Sequence, residues 1–71
     1  MEVFSKKLIK ERELNGYSRK EIADMLGIPQ TTYIHYELLG TKEGREPAMT
    51  MIVKMADLLA VSIDYLFGRE D

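Results

Sequence analysis

The chain has 71 residues and a net charge of −2, and apolar residues make up 45% of it. This length allows one small domain whose helical core is of marginal size. Cysteine is absent, which excludes a disulfide framework and thiolate metal sites. The sequence has no apolar run of about 18 residues and no apolar N-terminal segment behind basic residues. We therefore expect a cytoplasmic protein without a membrane segment.

The charges are distributed unevenly along the chain. Residues 1–20 hold six basic and three acidic side chains, whereas residues 21–71 hold four basic and nine acidic ones. A net acidic chain is poorly suited to nucleic acid, which usually requires a basic surface. Only the field at the docking face has to be positive, however. The composition therefore leaves a nucleic-acid ligand open.

The first predicted helix runs from about Val3 to Leu14. Phe4, Leu8 and Arg12 recur at four-residue spacing and therefore share one face. Asn15-Gly16 follows as a typical C-terminal stop. The face that carries Phe4 and Leu8 is expected to lie in the core.

A capping box precedes the second predicted helix. Ser18 can accept a hydrogen bond from a free amide of the first turn, and Glu21, three residues on, can reach back to the cap. The helix then spans about 19–26 and carries its apolar residues on one face. Ala23 has a side chain small enough to let another helix cross closely at this position.

A tight turn links this helix to the third one. Gly27 suits the left-handed backbone of such a turn, and Ile28 can plug it. Pro29 can open the next helix, because its missing N–H costs nothing in a first turn. That helix is predicted for about 30–38. Residues 19–38 are therefore interpreted as a helix-turn-helix, whose second helix is shaped to enter the major groove of DNA.

Two further helices follow a loop. The fourth is predicted from about Met49 to Ala60, although Ala48 is a poor N-cap and the helix could begin later. Its inward stripe is predicted to consist of Met49, Ile52, Ala56 and Leu59. The fifth is short, with Ser62 as its cap and Gly68 at its end. No segment indicates a strand, so the fold class is expected to be all-α.

With these features in place, the chain resembles the XRE-like helix-turn-helix regulators, the Cro and lambda-repressor type. The matching stretches are Gly16-Tyr17-Ser18, Glu21-Ile22-Ala23, Leu26-Gly27-Ile28, Tyr36-Glu37, Arg45-Glu46-Pro47 and Val61-Ser62-Ile63-Asp64-Tyr65-Leu66. The resemblance implies a five-helix lambda-repressor-like DNA-binding domain that occupies residues 1–71. It also implies a sequence-specific transcriptional regulator that is often a dimer, and we expect a repressor that binds double-stranded DNA as a homodimer.

The resemblance further implies a structural pair between Arg12 and Glu37. Their predicted positions agree with it, since Arg12 shares the Phe4–Leu8 face and Glu37 shares the face of Tyr33. Such a pair is expected to be structural and not catalytic. It is weak evidence for net stability, but losing one partner would leave the other charge unpaired.

The segment between Glu37 and Pro47 is longer than the usual link of this family, and the extra residues fall in 38–43. This insertion could lengthen the third helix, rebuild phosphate contacts or serve a protein partner. The last alternative defines a rival function, a protein-interaction module such as an antitoxin-like partner binder that uses the loop 38–46.

The outward face of the third helix carries the candidates for reading bases. A helical wheel groups four side chains opposite Tyr33 and Tyr36: Gln30, Thr31, Ile34 and His35. Gln30 is best placed, because recognition helices usually read bases with their N-terminal residues and glutamine can bond adenine bidentately. The alternative for Gln30 is an ordinary solvated helix start.

The candidates for phosphate contact lie at the start of the second helix, in the third helix and in the following loop: Arg19, Lys20, Thr32, Lys42 and Arg45. Arg19 stands where the family commonly has a phosphate-binding glutamine, and the free amides of the helix end can assist it. For Lys20 a purely solubilising role is nearly as well supported. Lys42 and Arg45 depend on the approach of the longer loop to DNA.

Several residues raise questions about cofactors and interfaces. His35 has no second histidine with which to bind a metal, and the sequence shows no paired carboxylates, phosphate loop or ligand cluster. We therefore predict no enzyme activity, no metal and no cofactor.

Met25, Met49 and Met55 are interpreted as core filler. An apolar interface patch is the hypothesis for Met51, Leu38, Leu39, Tyr65, Leu66 and Phe67, with a cap on the small core as the alternative.

Overall fold

Ser18 and Ser62 cap the starts of two helices through bonds to the amides of Glu21 and Tyr65. The computed structural model describes residues 2–69, and within them it contains α1 (Glu2–Leu14), α2 (Arg19–Leu26), α3 (Gln30–Glu37), α4 (Met49–Leu59) and α5 (Ile63–Leu66). The predicted all-α fold with five helices is confirmed. The α2 bounds agree with the prediction residue for residue, and the other four helices differ by a residue or two at their ends.

The predicted capping box is present at the start of α2. The Ser18 hydroxyl accepts from the Glu21 amide at 3.0 Å, and Glu21 Oε1 accepts from the Ser18 amide at 2.9 Å. The bond from the Ser18 backbone lowers the pKa of the Glu21 carboxyl. At the other end, Gly27 adopts the left-handed conformation with φ of 73°, and the Ile28 amide donates to the Ala23 carbonyl. The turn therefore closes as predicted.

The fourth helix begins at Met49 although Ala48 supplies no side-chain cap. Met49 was predicted to face inward, and this is wrong, because 61% of its surface is exposed. Residues 45, 46, 48 and 50 around it are also exposed, so the first turn of α4 lies at the surface. Met55, six residues further along α4, is buried instead.

The core gathers one face from each helix together with Leu39 from the loop. Its buried apolar residues are Phe4, Leu8, Ile22, Ala23, Leu26, Tyr33, Tyr36, Leu39, Ile52, Met55, Ala56, Leu59 and Leu66. The predicted inward face of α1 is thereby confirmed. Met25, interpreted from sequence as core filler, lies 46% exposed, so that prediction is wrong. It occupies the outer side of α2, where no other helix covers it fully.

The hypothesis of an apolar interface patch is not supported at its main positions. Leu39 and Leu66 are buried, and the Phe67 ring packs on the Phe4 ring with centroids 5.3 Å apart. The Tyr65 hydroxyl donates to Glu11 at 2.8 Å. These side chains cap the bottom of the core, because a domain this small has few other apolar residues to close it.

The longer segment after Glu37 does not lengthen α3. Leu38 is the C-cap, and the chain then folds back along the helix end. Gly44 passes so close to this end that a Cβ there would lie 2.5 Å from the Leu38 carbonyl oxygen and 2.6 Å from the Leu39 Cα. Glycine is therefore required by the close approach of two backbone segments.

Candidate nucleic-acid interface

The two sides of α3 differ sharply in burial. Gln30 and Thr31 are exposed in its first turn, whereas Tyr33 and Tyr36 are buried against the other helices. The predicted outward face therefore exists at the N-terminal end of the helix. The major groove admits a single α-helix, so this exposed end of α3 is the part of the helix suited to enter it.

The other candidates on α3 are only half-exposed. Thr32, Ile34 and His35 all have intermediate burial. Ile34 borders a shallow groove of about 280 Å³, which is lined by Ile9, Arg19, Ile34, Glu37 and Leu38. The structure thus places Ile34 at the margin of the outward face, on the side of α1, instead of at its centre.

Glu37 organises the side chains behind this face. Its Oε2 accepts from Arg12 Nε at 2.6 Å and from the Tyr33 hydroxyl at 2.5 Å, and its Oε1 accepts from Arg19 Nε at 2.8 Å. A second nitrogen of Arg12 donates to the Tyr17 carbonyl at 2.9 Å. The structure therefore brings the predicted pair Arg12 and Glu37 together, and ties α1, α2 and α3 through one carboxylate.

This cluster is largely shielded from solvent. The side chains of Arg12 and Glu37 are 8% and 4% exposed. Burial works against the charge of Arg12, but the hydrogen bond and the charge of Glu37 outweigh it and raise the pKa of the guanidinium. Burial, together with the bond to Glu37, raises the pKa of Tyr33, so its hydroxyl keeps the proton that it donates.

The bonds of Arg19 and Tyr33 to Glu37 were not predicted from the sequence. Tyr33 and Glu37 lie four residues apart on α3, so their spacing would have indicated the bond between them. No local signal connects Arg19 to Glu37, which lies 18 positions further along the chain. The side chain of Arg19 remains 51% exposed. Its guanidinium is thus held by one nitrogen while part of it faces solvent at the start of α2.

The remaining basic candidates differ in their surroundings. Lys20 forms an ion pair with Asp24 at 2.9 Å, both side chains being well exposed. Lys42 and Arg45 are exposed in the loop. The Arg45 amide donates to the His35 carbonyl at 3.0 Å, which holds this part of the loop beside the end of α3.

His35 is also bonded to the loop through its ring. Its Nδ1 lies 2.6 Å from the carbonyl oxygen of Glu43. Sequence reasoning placed His35 on the outward face but could not foresee this contact, because it depends on the path of the loop. Among residues 2–69, no group of three or more potential ligands is arranged to hold a metal. No helix in the same range is long and apolar enough to cross a membrane.

The fold and its turn agree with a known family. The profile of the helix-turn-helix family HTH_3 matches residues 8–66, which include α2, α3 and the turn between them. This chain belongs to that family. Family membership confirms the resemblance to XRE-like regulators and the lambda-repressor-like class of the fold, and it favours a regulator over an enzyme.

The chain is also similar to curated proteins that are named as transcriptional regulators. The chain is 33% identical to the HTH-type transcriptional regulator ImmR of Bacillus subtilis (strain 168), over 93% of this chain and 49% of that protein. It is 40% identical to the cryptic phage CTXphi transcriptional repressor RstR of Vibrio cholerae serotype O1, over 89% of this chain and 53% of that protein. The chain thus spans about half the length of these relatives. No solved structure matches the chain.

Proposed function

We propose that this chain is a sequence-specific DNA-binding transcriptional regulator, and that α3 enters the major groove. The observation that carries the proposal is the exposed first turn of α3, which stands on a rigid base of buried tyrosines in a helix-turn-helix fold. The relatives named as transcriptional regulators and as a repressor support it. Such a role places the protein with the DNA it regulates, in the cytoplasm.

Base contacts are assigned to the outward face of α3. Gln30 can bond adenine N6 and N7 together, and Thr31 can contact a base edge or a thymine methyl. Ile34 lies at the margin of the face and can offer only apolar contact, while His35 lies one turn beyond Thr31 on the same side. Gln30 is therefore the side chain from which we expect the largest share of base discrimination.

Phosphate contacts are assigned to the start of α2 and to the loop. The capping box engages the amides of Ser18 and Glu21, which leaves those of Arg19 and Lys20 pointing beyond the helix end. The exposed part of the Arg19 guanidinium lies at this end, so a phosphate there would meet donors from both backbone and side chain. Thr32, Lys42 and Arg45 would provide further contacts along the backbone of the DNA.

The regulator would act by occupying its operator. A homodimer would double the number of base contacts and match a palindromic operator.

The homodimer is expected to use the outer face of α4. Met49 and Val53 lie four residues apart there and are exposed, whereas Leu66 of α5 and the following Phe67 pack within the chain. Val53→Asp should therefore reduce self-association and shorten the footprint to one half-site, with the melting temperature almost unchanged. Sedimentation velocity and DNA footprinting measure these effects. A wild-type protein that stays monomeric at high concentration and protects one half-site argues against this interface.

Gln30→Ala and Arg19→Ala should produce different kinds of binding defect. Loss of Gln30 should weaken the preferred operator by about 1–3 kcal/mol and relax the preference at one base pair, with little effect on random DNA. Loss of Arg19 should weaken all sequences together and reduce the slope of log affinity against log salt by about one, because one fewer counterion is released. Fluorescence anisotropy across a salt series measures both.

Two controls make this comparison specific. Arg19 also bonds Glu37, so the folded fraction of each variant is determined by thermal melting before its affinity is compared. Lys54→Ala removes a cation on α4, outside the proposed DNA face, and should leave the salt slope nearly unchanged. Equal losses on operator and random DNA for both variants would rule out base reading by Gln30. Absence of any preferred duplex would favour the partner-binding alternative.

A further inference from the structure

We propose that His35 reads one base pair as a hydrogen-bond acceptor through Nε2, and that the carbonyl of Glu43 sets it in that form. The base group that fits is an exocyclic amine in the major groove, adenine N6 or cytosine N4. The inference rests on the proposed function, since it requires α3 to lie in the groove. It gives the longer loop after α3 a defined role in recognition.

The tautomer of His35 follows from its partner. Nδ1 lies 2.6 Å from the Glu43 carbonyl oxygen. A carbonyl oxygen can only accept, so Nδ1 must carry the proton that joins them. A neutral imidazole has a single N–H, which leaves Nε2 with a lone pair and no proton. This is the tautomer that free histidine adopts less often in water, and here the loop selects it.

The carbonyl of Glu43 is itself held in place by the loop. On one side, the Glu43 amide donates to Thr41 Oγ1 at 3.3 Å, and this hydroxyl donates to the Leu38 carbonyl at 2.7 Å. On the other side, the Arg45 amide donates to the His35 carbonyl at 3.0 Å. The peptide between residues 43 and 44 is therefore fixed from both directions against the end of α3.

The close passage of Gly44 adds a steric restraint. Any side chain there would meet the backbone of Leu38 and Leu39 at 2.5–2.6 Å, so the loop can approach α3 this closely only with glycine at this position. The acceptor for His35 is thus a rigid part of the fold. The ring has its orientation and its proton position before DNA arrives, and little entropy remains to be lost on binding.

The acceptor character of Nε2 predicts which bases are favoured. His35 lies one turn after Thr31, on the same side of α3, and is half-exposed. In the major groove, adenine and cytosine present amine donors, whereas guanine and thymine present O6 and O4 acceptors at the corresponding positions. An unprotonated Nε2 gains a hydrogen bond from the first two bases and opposes an acceptor in the last two. His35 therefore favours bases that present an amine donor. Gln30 differs, because its amide carries both a donor and an acceptor.

The tautomer can be observed directly in the free protein. His35 is the single histidine of the chain, so a long-range ¹H–¹⁵N correlation spectrum reports on it without ambiguity. For the neutral ring we expect a protonated Nδ1 and an unprotonated Nε2. His35 in the Nε2–H form would overturn the proposal before any DNA is added.

The base contact is tested with modified operators. Each adenine of the operator selected by wild-type protein is replaced in turn by purine, which lacks the N6 amine, and each cytosine by an analogue that lacks N4. Wild-type affinity should fall about five- to tenfold at one position that His35 contacts. His35→Asn keeps a nitrogen near the Nδ1 position for the Glu43 carbonyl but has no Nε2. The affinity of this variant should therefore be the same for the normal operator and for the analogue at that position, and at no other.

The outcomes separate this inference from the proposed function. If wild type and His35→Asn lose the same affinity at every position where an amine is removed, the inference fails. If Gln30→Ala still weakens the preference at one base pair in that case, the proposed function remains supported. Replacement of guanine by 7-deazaguanine, which lacks the N7 acceptor, provides a further test. If it weakens binding by wild type but not by His35→Asn, then Nε2 donates and the proposal is overturned. If no duplex is preferred over another, the proposed function itself fails.

Discussion

Glu37→Ala is expected to destabilise this domain by about 3–5 kcal/mol, because it leaves a buried charge without its partner. The Arg12 side chain is 8% exposed and depends on Glu37 for its ion pair. The Tyr33 hydroxyl, on a fully buried side chain, loses its acceptor as well. Domains are commonly stable by only about 5–15 kcal/mol, and one of this size lies near the lower end. The variant should therefore be partly unfolded at ordinary temperature.

Urea denaturation followed by circular dichroism measures this loss. Glu37→Gln retains an acceptor oxygen and should cost less than alanine. Glu46→Ala, at an exposed loop position, is the matched control and should change the free energy of unfolding by less than about 0.5 kcal/mol. Arg19→Ala should also cost little, since half of that side chain is exposed and exposed pairs contribute about 0–1 kcal/mol. A Glu37→Ala domain as stable as the Glu46→Ala control would contradict the role given to this carboxylate.

Ala23→Leu should destabilise the domain by about 1–3 kcal/mol. Ala23 is 1% exposed on the inward side of α2, so a larger side chain must displace its neighbours. For a domain of this length each kcal/mol lowers the melting temperature by about 4–8 °C. Differential scanning calorimetry should therefore show a clear downward shift. The exposed neighbour Asp24 provides the control, since Asp24→Leu places a leucine outside the core and removes only an exposed ion pair with Lys20.

Gly27→Val tests the turn by a different mechanism. A Cβ at Gly27 would meet nothing within 4 Å, so overpacking plays no part there. The backbone φ of 73° is nevertheless left-handed, which costs a β-branched residue about 1–3 kcal/mol. Gly27→Asn should cost less, because asparagine tolerates this region. Melting temperatures for Ala23→Leu and Gly27→Val that match the wild type would show that the helix crossing and turn are described wrongly.

The sequence alone was sufficient for the features that depend on neighbouring residues. Ser18 and Glu21 predicted the start of α2, and Gly27 predicted its left-handed end, because capping and turn formation involve atoms only a few residues apart. The periodicity of α3 predicted that Gln30 would face outward and Tyr33 inward, since the helix repeat determines which residues share a face. The family resemblance implied Arg12 with Glu37, which the structure places together.

Other features were decided only by the tertiary structure. Periodicity identifies a shared face but not what lies opposite it, so Met49 was predicted inward although its turn of α4 meets no covering helix. The same limit applies to Leu39, which the returning loop places in the core. The bonds from Arg19 to Glu37 and from His35 to Glu43 join separate elements, and no local pattern specifies such distances. The outward face of α3 was therefore predictable, whereas the support behind it depended on how helices and loop pack together.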